Sequence, residues 1–174
     1  VFNSSYAAST GEVLTNTTVA GNQSSGRTVL ALDSTDFVVA FNDDNTGFSQ
    51  ATFQRIKSDG TLSGSETVYG SGTTQYVGAT NTRPLSDGGY ILTWYDTADN
   101  ILKGTIYNSD GSTRTSGVTL ASLSSSQNNN CIIPTQDNEF FILYTANDTN
   151  GTGVYARKFD RVGSPLAAAF QVNA

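Results

Sequence analysis

Histidine is absent from this 174-residue chain and cysteine occurs once, as Cys131. Without histidine the chain lacks the commonest general base and the commonest metal ligand. A conventional Ser-His-Asp triad is excluded with it. One cysteine rules out an intrachain disulfide, and beside Ile132 and Ile133 it reads as a buried apolar thiol. An intermolecular bridge or a reactive thiol is the alternative. Charge is also scarce. Only 14% of residues are charged, against a usual figure of about a quarter. The 9 basic and 15 acidic side chains leave a formal net charge of −6. Nucleic-acid binding needs a basic face, which this balance does not supply, and an anionic membrane surface would repel the chain. The longest apolar runs, such as Phe37-Val38-Val39-Ala40-Phe41, are far too short to cross a bilayer. The sequence opens without methionine and without a signal-peptide pattern, so a processed product or a piece of something larger is expected. No apolar stripe of helical period occurs, which predicts essentially no helix.

What is present suits pleated sheet. Hydrophobic residues make up 37% and aromatics 10%, and the many Val, Ile and Thr residues favour half-buried strands. Serine and threonine take the solvating role that Lys and Glu usually fill, which fits a secreted β-protein. The chain is long enough for one domain, burying about 70% of its unfolded surface.

Self-similarity organises the whole chain. Asp36-Phe37-Val38-Val39-Ala40-Phe41 recurs as Gly89-Tyr90-Ile91-Leu92-Thr93-Trp94 and as Glu139-Phe140-Phe141-Ile142-Leu143-Tyr144. Upstream, Gln23, Gln75 and Gln127 fall at a constant interval of 52 residues. Downstream of each run come a polar loop and a second strand: Ala51–Ile56, Lys103–Tyr107 or Val154–Phe159. A turn follows at Ser58-Asp59-Gly60, Ser109-Asp110-Gly111 or Asp160-Arg161-Val162-Gly163. Asp-Gly between short β-runs is a strong hairpin signal. A last short strand closes each unit: Glu66–Tyr69, Gly117–Leu120 or Phe170–Val172. About four up-and-down strands in each 40–50-residue unit is the pattern of a propeller blade. Val1-Phe2-Asn3 and Glu12-Val13-Leu14 match the last two strands of a unit whose first two are missing. The expected fold is therefore all-β: a β-propeller-like array of four-stranded antiparallel blades, three blades plus an N-terminal half blade. It forms one repeat-built domain over 1–174, divided into a partial blade at 1–22 and blades at 23–74, 75–126 and 127–174. Three blades and a half cannot close a ring of whole blades. An abbreviated fourth blade, strand donation from a neighbouring copy, or further polypeptide would each complete it.

The segment Gly153-Val154-Tyr155-Ala156-Arg157-Lys158-Phe159-Asp160, then Gly163 and Phe170-Gln171-Val172-Asn173, resembles a tandem repeat of very large bacterial and protist surface proteins. Those repeats run Gly-Val-Tyr-Ala-Gln-Arg-Phe-Asp, a Gly turn, Phe-Gln-Val-Asn, then Asp-Gly-Gly-Phe-Val-Val-Thr-Trp. Ser86-Asp87-Gly88-Gly89-Tyr90-Ile91-Leu92-Thr93-Trp94 looks like the last element, while Phe41 and Tyr144 replace its Trp in the other units. The resemblance implies a non-catalytic role at the cell surface or outside the cell, and carries over no active site.

Three sets of residues could carry chemistry. Asn-X-Ser/Thr sequons occur at Asn3, Asn16, Asn22, Asn147 and Asn150, clustered within 1–24 and 147–152. Composition alone predicts a similar number, so each is either a glycan acceptor or an ordinary turn asparagine. The Ser/Thr-rich stretch 15–25 could also take O-linked sugar. The acidic loops around Asp43, Asp44 and Asp148, with Asp96 and Asp99 at the same inter-strand position, alternate oxygen-bearing side chains ahead of a glycine, as Ca²⁺ loops do. They lack a bidentate Glu, and Asx turns bonding their own backbone explain the same residues. Trp94 and the neighbouring tyrosines could stack a sugar, or could pack between blades. For glycoside hydrolysis two converging carboxylates are needed, one held protonated by burial, whereas the acids here fall in solvated turns.

The sequence thus reads as a non-enzymatic extracellular structural protein. It would be a subunit of a filament, surface coat or adhesin, assembled head to tail from copies of itself and glycosylated, with no cofactor apart from the Ca²⁺ alternative. A carbohydrate-binding, lectin-like propeller is the second reading.

Overall fold

The computed structural model describes residues 14–31, 36–45, 47, 49–69, 77–123 and 130–173. Every regular element among them is a strand. The first sheet holds β1 (Gln23–Ala31), β2 (Asp36–Asp43), β3 (Gln50–Lys57) and β4 (Thr67–Tyr69). The second holds β5 (Val77–Pro84), β6 (Tyr90–Asp96), β7 (Ile101–Tyr107) and β8 (Thr113–Ser122). The third holds β9 (Asn130–Pro134), β10 (Phe140–Asp148), β11 (Gly151–Phe159) and β12 (Phe170–Gln171). All three are four-stranded and antiparallel, with strands side by side in chain order. The strands expected at 1–3 and 12–14 lie outside the described residues, apart from Leu14, which is exposed and not in a strand.

The hairpin signals act through glycine. Gly60, Gly111 and Gly163 each have φ of +87°, a left-handed conformation that costs a residue without Cβ little. In the first of these turns Gly60 N–H donates to the Lys57 carbonyl and Lys57 N–H to Thr61. This is a turn closed by a left-handed glycine, longer than a two-residue hairpin. At the β5–β6 and β9–β10 turns the left-handed position is filled by Gly88 and by Asn138 (φ 59°). Asparagine is the side chain that best tolerates that region.

Alternation along the strands sends side chains to both faces, and the sheets stack face to face. Val38, Ala40 and Phe53 of the first sheet pack against Tyr90, Leu92, Trp94 and Tyr107 of the second. From the opposite face of the second sheet, Ile91, Tyr95, Leu102, Ile106 and Leu120 pack against Phe140, Ile142, Tyr144 and Phe159 of the third. The middle sheet is therefore covered on both sides, and all seven residues of β6 are buried. The first strands adjoin one another: β1 lies against β5 and β5 against β9, where Asn81 Nδ2 donates to the Asn130 carbonyl at 2.9 Å. Residues 14–22 are tied to the first sheet by the Thr18 hydroxyl on Glu66 (2.9 Å) and Asn22 Nδ2 on Asp44 (3.2 Å).

Cys131 departs from expectation. It is exposed, because strand alternation turns Ile132 into the core at 2% exposure and sends both neighbours outward.

Leu102 is fully buried in the junction between the second and third sheets. Leu102→Ala should cost about 2–5 kcal/mol through lost burial and a residual cavity, read as a lower denaturation midpoint with an unchanged slope. A loss below 1 kcal/mol, about the value for an exposed site, would place Leu102 outside that core.

Candidate functional site

The junction between the first and second sheets contains an aromatic cluster and an open cleft. Tyr69 stacks on Trp94 with ring centroids 4.0 Å apart, and Tyr90 stacks on Tyr107 at 4.8 Å. The Tyr69 and Tyr107 hydroxyls hydrogen-bond to each other. Beside them opens a cleft of about 290 Å³, lined by Val38, Arg55, Ser63, Thr67, Tyr90 and Asp110 among others. Burial pushes the Tyr90 hydroxyl up to about 12. Tyr107 is raised further, by burial first and then by its bond to Tyr69. Both phenols stay protonated through the physiological range and act there as hydrogen-bonding groups rather than bases.

Arg55 spans this junction. Its Nε donates to Asp36 of the same sheet at 2.7 Å, and its Nη1 donates to the Asp110 carbonyl of the next sheet's turn at 2.9 Å. Gly111 suits this turn through its φ of +87°, and a Cβ there would push the Arg55 guanidinium aside. The second junction has a related latch. Arg114 pairs with Asp87 of its own sheet at 2.8 Å and donates to the Arg161 carbonyl of the third sheet's turn at 3.2 Å. A Cβ on Gly163 would lie 2.8 Å from a Val118 methyl of the second sheet. The glycine turns therefore also form contacts between sheets. The sequence reading did not single out Arg55, Asp36, Arg114 or Asp87. The available signal was the acid at the head of the repeated strand, Asp36 and Glu139, and its recurrence at the same repeat position.

The acidic loops are occupied by turn bonding. Asp43 Oδ1 accepts Asn45 N–H at 3.0 Å and Gln23 Nε2 at 3.2 Å. Asp44 accepts both the backbone and side-chain amides of Asn22. Asp148 accepts Asn150 N–H at 2.8 Å and Gln171 Nε2 at 3.1 Å. At the equivalent position in the second sheet, Asp96 accepts Ala98 N–H at 3.2 Å and pairs with Lys103 at 2.8 Å, and Asp99 lies 3.8 Å from the same lysine. Asp43, Asp96 and Asp148 each end the second strand of a sheet, and each accepts the N–H two residues on. These are Asx turns. A hollow of about 220 Å³ adjoins Asp43 and Asp44. Among the described residues no cluster of three His, Cys, Asp or Glu side chains is arranged to hold a metal ion.

The sequon asparagines differ in setting. Asn150 is exposed in the β10–β11 hairpin turn, and Asn147 is exposed beside it near the end of β10. Asn16 Nδ2 donates to the Thr18 carbonyl at 2.6 Å, and Asn22 Nδ2 donates to Asp44; each bond uses one of the two amide hydrogens. Asn3 lies outside the described residues. Trp94 is 5% exposed with Tyr69 stacked on its ring, so a sugar could reach the indole only by displacing that tyrosine.

The third sheet presents a different surface. Ile133, Val154 and Phe170, on the face turned away from the second sheet, are 43%, 37% and 53% exposed, with Cys131 exposed on the same face.

Comparison with protein-family models and with curated proteins finds no match to this chain.

Asp59 and Asp110 both have their carboxyls held below the usual 3.8, chiefly by the hydroxyls of Thr61 and Ser112 and then by the backbone N–H groups of those residues. With the folded value depressed, the stabilisation is fully present above the unfolded carboxylate range and is lost as pH falls through the folded values. Asp110→Ala should lower the melting temperature at neutral pH and match the wild type in strong acid. A gap that stays constant on acidification would show that the carboxylate does not support the turn.

Proposed function

We propose that this chain is a non-catalytic extracellular structural protein, a subunit of a filament, surface coat or adhesin assembled head to tail from its own copies. The observation that carries the reading is the stacking of sheets. The first sheet covers one face of the second and the third sheet covers the other, while Ile133, Val154 and Phe170 are exposed on the third sheet's far face. Sheets that cover one another face to face in series suit a repeat-built structural protein. The sheets at 23–69, 77–122 and 130–171 are read as blades of a propeller-like array, preceded by a half blade within 1–22. The side-by-side placement of β1, β5 and β9 supports this, since the first strands of successive propeller blades lie innermost. The low charge, the 44 Ser and Thr residues and the exposed sequons Asn147 and Asn150 favour a glycosylated product outside the cell or on its surface.

A carbohydrate-binding role is the second reading, favoured by the cleft beside Tyr90 and Tyr107 rather than by Trp94. The cleft lies near the lower end of the range for small-molecule pockets, about 300 Å³.

Negative-stain microscopy of native material, with mass spectrometry before and after glycosidase treatment, tests the first reading. Polymers and a mass loss at the sequon peptides are expected. A discrete monomer at all concentrations, with no polymers on the grid, would refute the assembly. Binding on a glycan array that is lost in Tyr90→Ala, whose melting profile shows it still folded, would favour the second.

A further inference from the structure

The two sheet junctions are built from equivalent positions of the repeat and differ in one place. Tyr90 and Tyr107 are directly paired across β6 and β7 and stack at the first junction. Phe140 and Phe159 hold the equivalent paired positions in the third sheet and stack at the second junction, with centroids 5.4 Å apart. The stack therefore forms without phenol hydroxyls, and packing alone does not call for them. Across from it, the first sheet presents Val38 paired with Arg55, where the second sheet presents Ile91 paired with Ile106. At the second junction this place is filled, since Ile91, Ile106, Phe140 and Phe159 are all 0% exposed. At the first junction it is the cleft of about 290 Å³.

The cleft combines apolar and polar lining. Val38, Phe53 and Leu92, each at most 3% exposed, supply the first, and Ser63, Ser65 and Thr67 line it beside them. The Tyr90 hydroxyl and the Arg55 guanidinium meet at Gly111, where a Cβ would lie 3.9 Å from the hydroxyl and against the guanidinium. The charges of Arg55 and Asp110 act on this hydroxyl, but no hydrogen bond among the described residues engages it. Tyr90 is only 4% exposed, and a polar group so enclosed is normally paired. The Tyr107 hydroxyl, by contrast, is bonded to Tyr69. Arg55 brings no net positive charge, because Asp36 pairs with it at 2.7 Å and Asp110 stands beside it in the next turn.

We propose that this cleft binds a single neutral sugar ring, with the Tyr90 hydroxyl and the Arg55 guanidinium bonding ring hydroxyls while Val38, Phe53 and Leu92 meet the ring's C–H face. The inference rests on the carbohydrate-binding reading above and assigns its ligand class and its polar contacts. A pyranose presents both kinds of surface, a C–H face and a hydroxyl edge. A cleft at the lower end of small-molecule pocket sizes takes one ring, the end unit of a glycan rather than its interior. An acidic sugar would meet Asp36 and Asp110 with one cation between them.

Tyr90→Phe is the decisive variant, because the second junction shows that phenylalanine serves the stack. Its melting midpoint should equal that of the wild type, while its affinity should fall about tenfold, the equivalent of one hydrogen bond. Saturation-transfer NMR and calorimetry with methyl glycosides of neutral hexoses and with hexuronic acids supply the readout. The wild type should bind the neutral glycosides and not the uronic acids. Uronic acids bound as tightly as neutral sugars, binding confined to longer glycans on an array, undiminished binding by Tyr90→Phe, or a lowered midpoint in that variant would each overturn the subsite and leave the carbohydrate reading standing. A wild-type chain that binds no sugar in any of these formats would overturn both.

Discussion

The β6 strand of the second sheet has no solvent-facing side, and the rest of the structure depends on that. Its β6 strand sends Tyr90, Leu92 and Trp94 one way and Ile91 and Tyr95 the other, and both sets are buried. A strand buried on both faces cannot be stable in an isolated sheet, since half of its apolar surface would remain in water. The first and third sheets are therefore needed to cover it, and each in turn brings an outer face of its own. On the far face of the third sheet Ile133, Val154 and Phe170 are exposed.

Polar chemistry supports the stacking more than it departs from it. The carboxylates at strand ends and turns accept backbone N–H groups two residues on, at Asp43, Asp59, Asp87, Asp96, Asp110, Asp148 and Asp160. Charges are few, and two of the six arginines join sheets. Arg55 and Arg114 each neutralise an acid of their own sheet and donate to a carbonyl of the next. The left-handed glycines let the turns approach closely enough for these contacts, so one residue type serves both the hairpin and the junction. The Ser86 hydroxyl adds a further link, donating to Asn138 of the next sheet's turn at 2.7 Å.

Much of this was readable in the residue order because its causes are local. The two-residue period, the repeated run ending in an aromatic and the Asp-Gly turns located the strands, since alternation and left-handed turns follow from neighbouring residues alone. The turn bonds of the acidic loops rest on distances that sequence does not contain. Cys131 was misread because the run Cys131-Ile132-Ile133 is apolar throughout, and nothing in it says which face meets the core.

An all-β chain of repeated four-strand units follows from residue order alone, because strand period and turn chemistry are short-range. Long-range packing settles which face of each sheet meets its neighbour, that Trp94 lies under Tyr69, and that Arg55 crosses to the next turn. Both faces of these strands are apolar, so hydrophobicity alone cannot distinguish them. The distinction comes from contacts between residues about 50 positions apart, such as Arg55 and Asp110, whose separation along the chain is 55 residues.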